Sequence, residues 1–163
     1  MAVRKILSYP EAKDILKAKS VAVKMNDPEL PGVIQDLKDT LLNTEHGIGL
    51  AAPQIGVLKR IFVLNKDYII NNLDEHSALA KSQEKILIFI NPKMISRKGV
   101  LHEEEGCLSV TETYVKIERA RLVKVRAVDE QGQQFYEKFK DLAARAVQQE
   151  IDHLNGVLIV DYK

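Results

Sequence analysis

An α+β fold is predicted by three observations: a helical apolar period after residue 27, short apolar runs and a hairpin through the middle of the chain, and a single amphipathic helix near the end. Strands grouped ahead of a final helix, rather than alternating with helices, separate this class from α/β. The 163 residues fit one domain, spanning residues 1–163, a length that buries roughly two thirds of the unfolded surface in one core.

Residues 1–25 have mixed charge and no clear period, and no long apolar run that would make a signal peptide. Asn26-Asp27-Pro28 reads as a helix start, with Asp27 as cap and Pro28 in the first turn. Leu30, Val33, Ile34, Leu37, Leu41 and Leu42 then recur at helical spacing, carrying the helix to about Asn43 or Thr44. His46-Gly47-Ile48-Gly49 breaks it. Ile61-Phe62-Val63-Leu64 reads as a buried strand, residues 66–84 as a polar surface excursion, and residues 86–90 as a second strand closed by Asn91-Pro92. Residues 121–128 and 134–139 flank Glu130-Gln131-Gly132 as a hairpin. The last helix opens near Asp141, turns Leu142, Val147, Ile151 and Leu154 inward, and stops at Asn155-Gly156.

Composition narrows function. Lys+Arg of 24 against Asp+Glu of 23 leaves a net charge of +1, so composition gives no direct nucleic-acid signal and no pull toward an anionic membrane. No apolar run approaches the ~20 residues of a membrane helix. Cys107 is the one cysteine; a lone thiol suits a reducing compartment and the cytosol, with packing, catalysis or metal binding as its uses.

Three segments carry chemistry. Gln149-Glu150-Ile151-Asp152-His153 lies on the last helix. The H-E-x-x-H pattern sets two imidazoles one turn apart on a helix face, with a Glu beside the metal; here Gln149 replaces the first His. Taken alone, these residue types are common on solvated helices. Glu105-Gly106-Cys107-Leu108-Ser109 offers a thiolate, a strong donor for a transition metal, or else a buried structural thiol. Gly47-Ile48-Gly49-Leu50-Ala51-Ala52-Pro53-Gln54 sets an amide among small apolar residues, either as a binding loop or as a tight helix-to-strand connection. It lacks the Gly-Lys-Ser/Thr ending of a phosphate loop, and no strand precedes Gly47 as a dinucleotide fingerprint requires.

G-x-G-L-A-A-P-Q, E-G-C-L-S and E-x-D-H-L-N-G, in that order, resemble the peptide deformylase family, and order and spacing agree over most of the chain. The resemblance implies antiparallel β-sheets packed around a central metal-motif helix, with an N-terminal helix. It implies a hydrolase that removes the formyl group from the N-terminal methionine of nascent polypeptides and releases formate. Cys107 and His153 would be metal ligands, for Fe2+ in most of the family and Zn2+ or Ni2+ as substitutes. Glu150 would be the acid/base, helping to deprotonate the attacking water and later protonating the departing amine. Gln54 and the Leu108 N–H would stabilise the oxyanion. Ile48 and Gly49 would pair with the peptide backbone, Gly106 would let the backbone approach, and Leu142 and Ala146 would line the methionine pocket with Ile48. Tyr114 falls where the family often places a substrate contact, and equally suits an edge-strand aromatic. The implied partner is an N-formylmethionyl chain, met transiently at the ribosome.

Two departures stand out. Thr111 occupies a position where the family commonly carries Pro. Gln149 stands where the family has a ligating His, and a neutral amide oxygen is a weak donor for iron or zinc. A weak or empty metal site, or an altered metal choice, is therefore expected, and with it the alternative of a protein that binds formyl-peptides without hydrolysing them. His102 and Glu105 are the nearby candidates for a substitute ligand.

Overall fold

Alternation of apolar and polar residues in the middle of the chain produces sheets, and pairing them produces two main cores and a small third one. In the computed structural model, which describes residues 2–163, the strands are β1 (Gly49–Ala51), β2 (Ile61–Asn65), β3 (Ile86–Lys98), β4 (Leu101–Cys107), β5 (Val110–Arg119), β6 (Leu122–Val128) and β7 (Gln134–Lys140). Five of them form one antiparallel sheet in the order β1-β2-β3-β6-β7, while β4 and β5 form a separate hairpin. The helices are α1 (Lys13–Leu16), α2 (Leu30–Leu42), α3 (Lys66–Ile69), α4 (Ala78–Lys81) and α5 (Asp141–Leu154).

Every residue of β2 is buried, because helices cover both of its faces. On one face Phe62, Leu64, Phe89, Val125 and Phe139 meet Val147, Ile151 and Leu154 of α5. Phe62 stacks on Phe89 with ring centroids 4.6 Å apart. On the other face Ile61, Val63, Ile88 and Ile90 meet Val33, Ile34, Leu37 and Leu41 of α2. Each such side chain contributes roughly 1.5–3 kcal/mol on full burial. α2 reaches only as far as Ile90 and Val128, so the second face of β6, β7 and the far half of β3 is open.

Several sequence expectations change. The helix begins at Leu30, with Pro31 in its first turn; Asp27 and Pro28 precede it, and the Asp27 carboxylate accepts the Glu29 backbone N–H. The strand from Ile86 does not stop at Asn91-Pro92 but continues to Lys98 past a register shift between Ile90 and Lys93. Proline removes a ladder donor and Asn91 has φ +50°, so the pair makes a bulge rather than an end. Residues 66–84 are helical in two places, and Ile69 and Leu73 are buried in the α5-side core. The β4–β5 hairpin had no apolar run to announce it: only its inward residues, Val110, Val115 and Ile117, join a small third core.

Candidate active site

The last helix supplies the site because its burial pattern is lopsided. Glu150 and His153 lie on the buried side of α5, 4% and 1% exposed, while Gln149 sits at its border. β4 ends at Cys107, which accepts the Ser109 backbone N–H at 3.4 Å and stands 3.4 Å from His153 Nε2. After β1 the chain makes a 3-10 turn, Ala52–Ile55, that buries Gln54. The Gln54 carbonyl oxygen accepts the Ala51 N–H at 2.9 Å, which leaves its amide nitrogen to donate to Ser109 Oγ at 3.0 Å, with Cys107 Sγ at 3.9 Å.

These groups share a cleft of about 470 Å³. Ile48, Gly49, Gln54, Gly106, Cys107, Leu108, Tyr114, Leu142, Ala146, Gln149 and Glu150 line it, and His153 lies behind Cys107. Gly49 is a close approach: a Cβ there would come within 2.9 Å of Leu64 and 3.0 Å of Glu150 Oε2. Tyr114 is 71% exposed, yet its ring lies over Gly106, where a Cβ would come within 3.0 Å of it. Leu142, expected to point into the core, is only half-buried and belongs to the cleft.

Electrostatically, burial disfavours the charged forms of the groups at the base of the cleft. Burial, and after it the Glu105 charge, pushes the Glu150 carboxyl up to about 8. Burial, helped by Arg119, pushes His153 down to about 4. Burial pushes the Cys107 thiol up to about 12. Glu150 Oε1 and His153 Nδ1 are buried without hydrogen-bond partners. Such groups are costly in a core and common where a ligand completes them.

Behind the cleft is a charge network that no motif announced. Arg119 forms a two-armed pair with Glu105, both contacts 2.9 Å, and reaches Asp152 at 2.7 Å. The Tyr162 hydroxyl donates to Asp152 and accepts from Arg119. Arg145 donates to the Glu104 carbonyl at 2.8 Å, with its Nε 3.6 Å from Glu105. Asp152 sits inside the motif and could have been suspected there; Arg119, 33 residues earlier, gives no local signal.

The donor set partly fits a metal. Zn–S and Zn–N bonds of roughly 2.3 and 2.1 Å at a tetrahedral angle place S and N roughly 3.6 Å apart, close to the 3.4 Å between Cys107 and His153. The third position is weak. The Gln149 amide nitrogen donates to Glu105 Oε1 at 2.9 Å and to the Gly106 carbonyl at 3.3 Å, leaving only its neutral oxygen as a donor. Among the described residues no group of three or more His, Cys, Asp or Glu side chains has metal-binding proximity. His102 offers no replacement: it is exposed and faces Glu118 at 3.5 Å. Glu105 borders the cleft but is committed to Arg119.

Comparison with known proteins identifies the family. The family described as "Polypeptide deformylase" matches residues 3–163. A protein of Clostridium acetobutylicum named "Peptide deformylase 1" is 37% identical over 161 residues, 99% of this chain and 95% of that protein. The peptide deformylase of Caldicellulosiruptor bescii is 39% identical, over 99% of this chain and 86% of that protein. Among solved structures, a peptide deformylase from Legionella pneumophila superposes with a TM-score of 0.80 at 37% identity, covering 98% of this chain and 85% of that one. The class I type b peptide deformylase of Acinetobacter baumannii, solved with Met-Ala-Ser bound, superposes with a TM-score of 0.80 at 30% identity, covering 99% of both chains. With its motifs, its fold and its full-length likeness in agreement, the chain belongs to the peptide deformylase family.

Proposed function

We propose that this protein removes the formyl group from the N-terminal methionine of nascent polypeptides, releasing formate. The observation that carries the reading is the meeting of Gln54, Cys107 and the helix pair Glu150 and His153, from three separate stretches of chain, at one cleft. The family implies a catalytic metal; Cys107 and His153 would hold it, with Gln149 Oε1 as a weak third donor, and Fe2+ is the ion we assign. When bound, the metal supplies Lewis acidity at the formyl group and at water.

The chain's own residues do the rest. β1 is the outer strand of its sheet, and Gly49 on its free edge, with Ile48 just before it, receives the peptide backbone as an added strand. Ile48, Leu142 and Ala146 take the methionine side chain. Gln54 Nε2 and the Leu108 N–H donate to the oxygen that gains charge as the formyl carbon becomes tetrahedral. Glu150, whose ordinary acidity burial has already weakened, takes the proton of the attacking water and returns it to the departing amine. No described helix is long and apolar enough to cross a membrane; we place the protein in the cytoplasm, with transient contact at the ribosome.

One observation favours a second reading: the Gln149 amide is already tied to Glu105 and Gly106. On that reading the cleft holds formyl-peptides without a tightly bound metal and turns them over poorly. The deciding experiment pairs metal content with turnover of a formyl-methionyl tripeptide under anaerobic Fe2+. Turnover by the loaded chain supports the hydrolase. Full metal occupancy without turnover sinks the hydrolase, and a chain that takes up no metal yet binds the peptide supports the binder.

A further inference from the structure

α2 covers one face of the five-stranded sheet only over β1, β2 and the near half of β3. The rest of that face is open, and ladder register shows what stands on it. Lys93 lies beside Arg126, which lies beside Tyr136; Ser96 beside Lys124 beside Lys138; Lys98 beside Leu122 beside Lys140. These three rungs hold six cations and no carboxylate. None of the six has an ion pair among the described residues. The acids nearest in sequence are engaged elsewhere: Glu130 with Lys38, Asp129 with the N–H groups of its own turn, Asp141 with Arg121, while Glu137 points into the opposite, buried face.

Like charges directly opposite one another weaken an antiparallel sheet. Lys93 opposite Arg126 and Lys124 opposite Lys138 are therefore carried against the interest of the fold. Lysines on an outer strand are a known guard against edge-to-edge aggregation, and that accounts for Lys138 and Lys140 on β7. It does not account for Lys93, Lys98, Lys124 and Arg126, which belong to the inner strands β3 and β6.

We propose that this open sheet face is a docking surface for single-stranded RNA. Rungs two residues apart stand roughly 7 Å from one another and neighbouring strands about 4.8 Å, so the cations form a continuous field that a phosphate backbone can follow. Tyr136, 52% exposed and with the Lys124 ammonium 5.2 Å from its ring centroid, gives a base a surface to stack on. A sheet carrying both aromatic rings and cations is a recurrent RNA platform. A membrane surface is the poorer match, since such binding relies on a buried apolar face and the rungs hold only Leu122. The face lies across the sheet from α5 and the cleft, so docking leaves the cleft open, and the inference stands apart from the catalytic reading.

The test is fluorescence anisotropy of a fluorescein-labelled, mixed-sequence single-stranded RNA with the full chain, titrated at increasing KCl. The affinity is expected to fall with salt with a log–log slope of about −3 to −4, the release expected when most of the six cations meet phosphates. The double variant Lys124→Glu/Lys138→Glu is expected to lose at least about tenfold in affinity and to flatten the slope. Tyr136→Ala is expected to lose about tenfold with the slope unchanged. Lys116→Glu on the β4–β5 hairpin, a cation outside the ladder, is expected to bind as the parent does. Circular dichroism and the thermal midpoint establish that each variant is folded. RNA affinity that is absent at low salt, or equal in the folded double variant, overturns the proposal. So does binding confined to phosphatidylcholine/phosphatidylserine vesicles, which would make the face a membrane contact.

Discussion

Glu150 is buried with one carboxylate oxygen that no donor reaches, and its pKa rises from 4.5 to about 8 in the metal-free chain. A raised folded-state pKa stabilises the fold fully below the unfolded value, and that contribution is lost as pH climbs through the folded one. Glu150→Gln keeps the shape and removes the charge. In chelator-treated protein it is therefore expected to gain stability over the parent as pH rises from 4.5 to 8, with the two urea midpoints converging below 4.5. The same substitution is expected to lower kcat by about 10²–10⁴ in the metal-loaded enzyme, the range for a positioned acid/base. Gln149→His places an imidazole at the weak third position. Metal affinity, read by competition with a chromophoric chelator, is expected to rise at least 10–100-fold, since even outer-shell changes carry that much. No change in either affinity or turnover would mean that residue 149 is not at the metal.

At the scale of elements, α5 has to arrive and stop correctly for Glu150 and His153 to face Cys107. It stops at Gly156, where φ is +74° and a Cβ would come within 2.4 Å of the Lys17 carbonyl oxygen. Gly156→Ala therefore meets both a left-handed backbone and a backbone collision, and is expected to cost more than the ~1–3 kcal/mol of conformational strain alone, seen as a lower urea midpoint with an unchanged m-value. The hairpin that presents Cys107 is held to α5 by Arg119, which joins Glu105 on β4 to Asp152 on the helix. Removing the cation leaves Glu105 charged and almost fully enclosed. Arg119→Met is expected to cost about 3–5 kcal/mol, seen as a lower urea midpoint.

For the whole molecule, metal and fold are linked. The unfolded chain scatters Cys107 and His153, 46 residues apart in sequence, so an ion bound by both stabilises the folded state only. At free metal about 100-fold above its dissociation constant the gain is about 2.7 kcal/mol. Chelation is expected to lower the thermal midpoint of the parent, and more so that of a Gln149→His variant, which holds the ion more tightly. A parent midpoint indifferent to chelator, with that of Gln149→His responsive, would identify the native site as one that does not retain metal.

Patterning alone determined the last helix, the hairpin of β6 and β7, the buried strand β2 and the three segments that form the cleft, because each depends on residues close in sequence or on a motif with fixed spacing. The resemblance of those three segments to the family, rather than patterning, singled out Gln54, Cys107, Glu150 and His153. Tertiary structure alone decided how they meet: the 3.4 Å between sulfur and imidazole, the Arg119 network behind them, and the commitment of the Gln149 amide to Glu105. It also decided where the cations of β3, β6 and β7 stand, since a net charge of +1 averages away a face that only strand register assembles. The reason is the same in each case. Local periodicity reports which side of an element is buried, whereas a contact between distant residues depends on how the buried sides of several elements pack against one another.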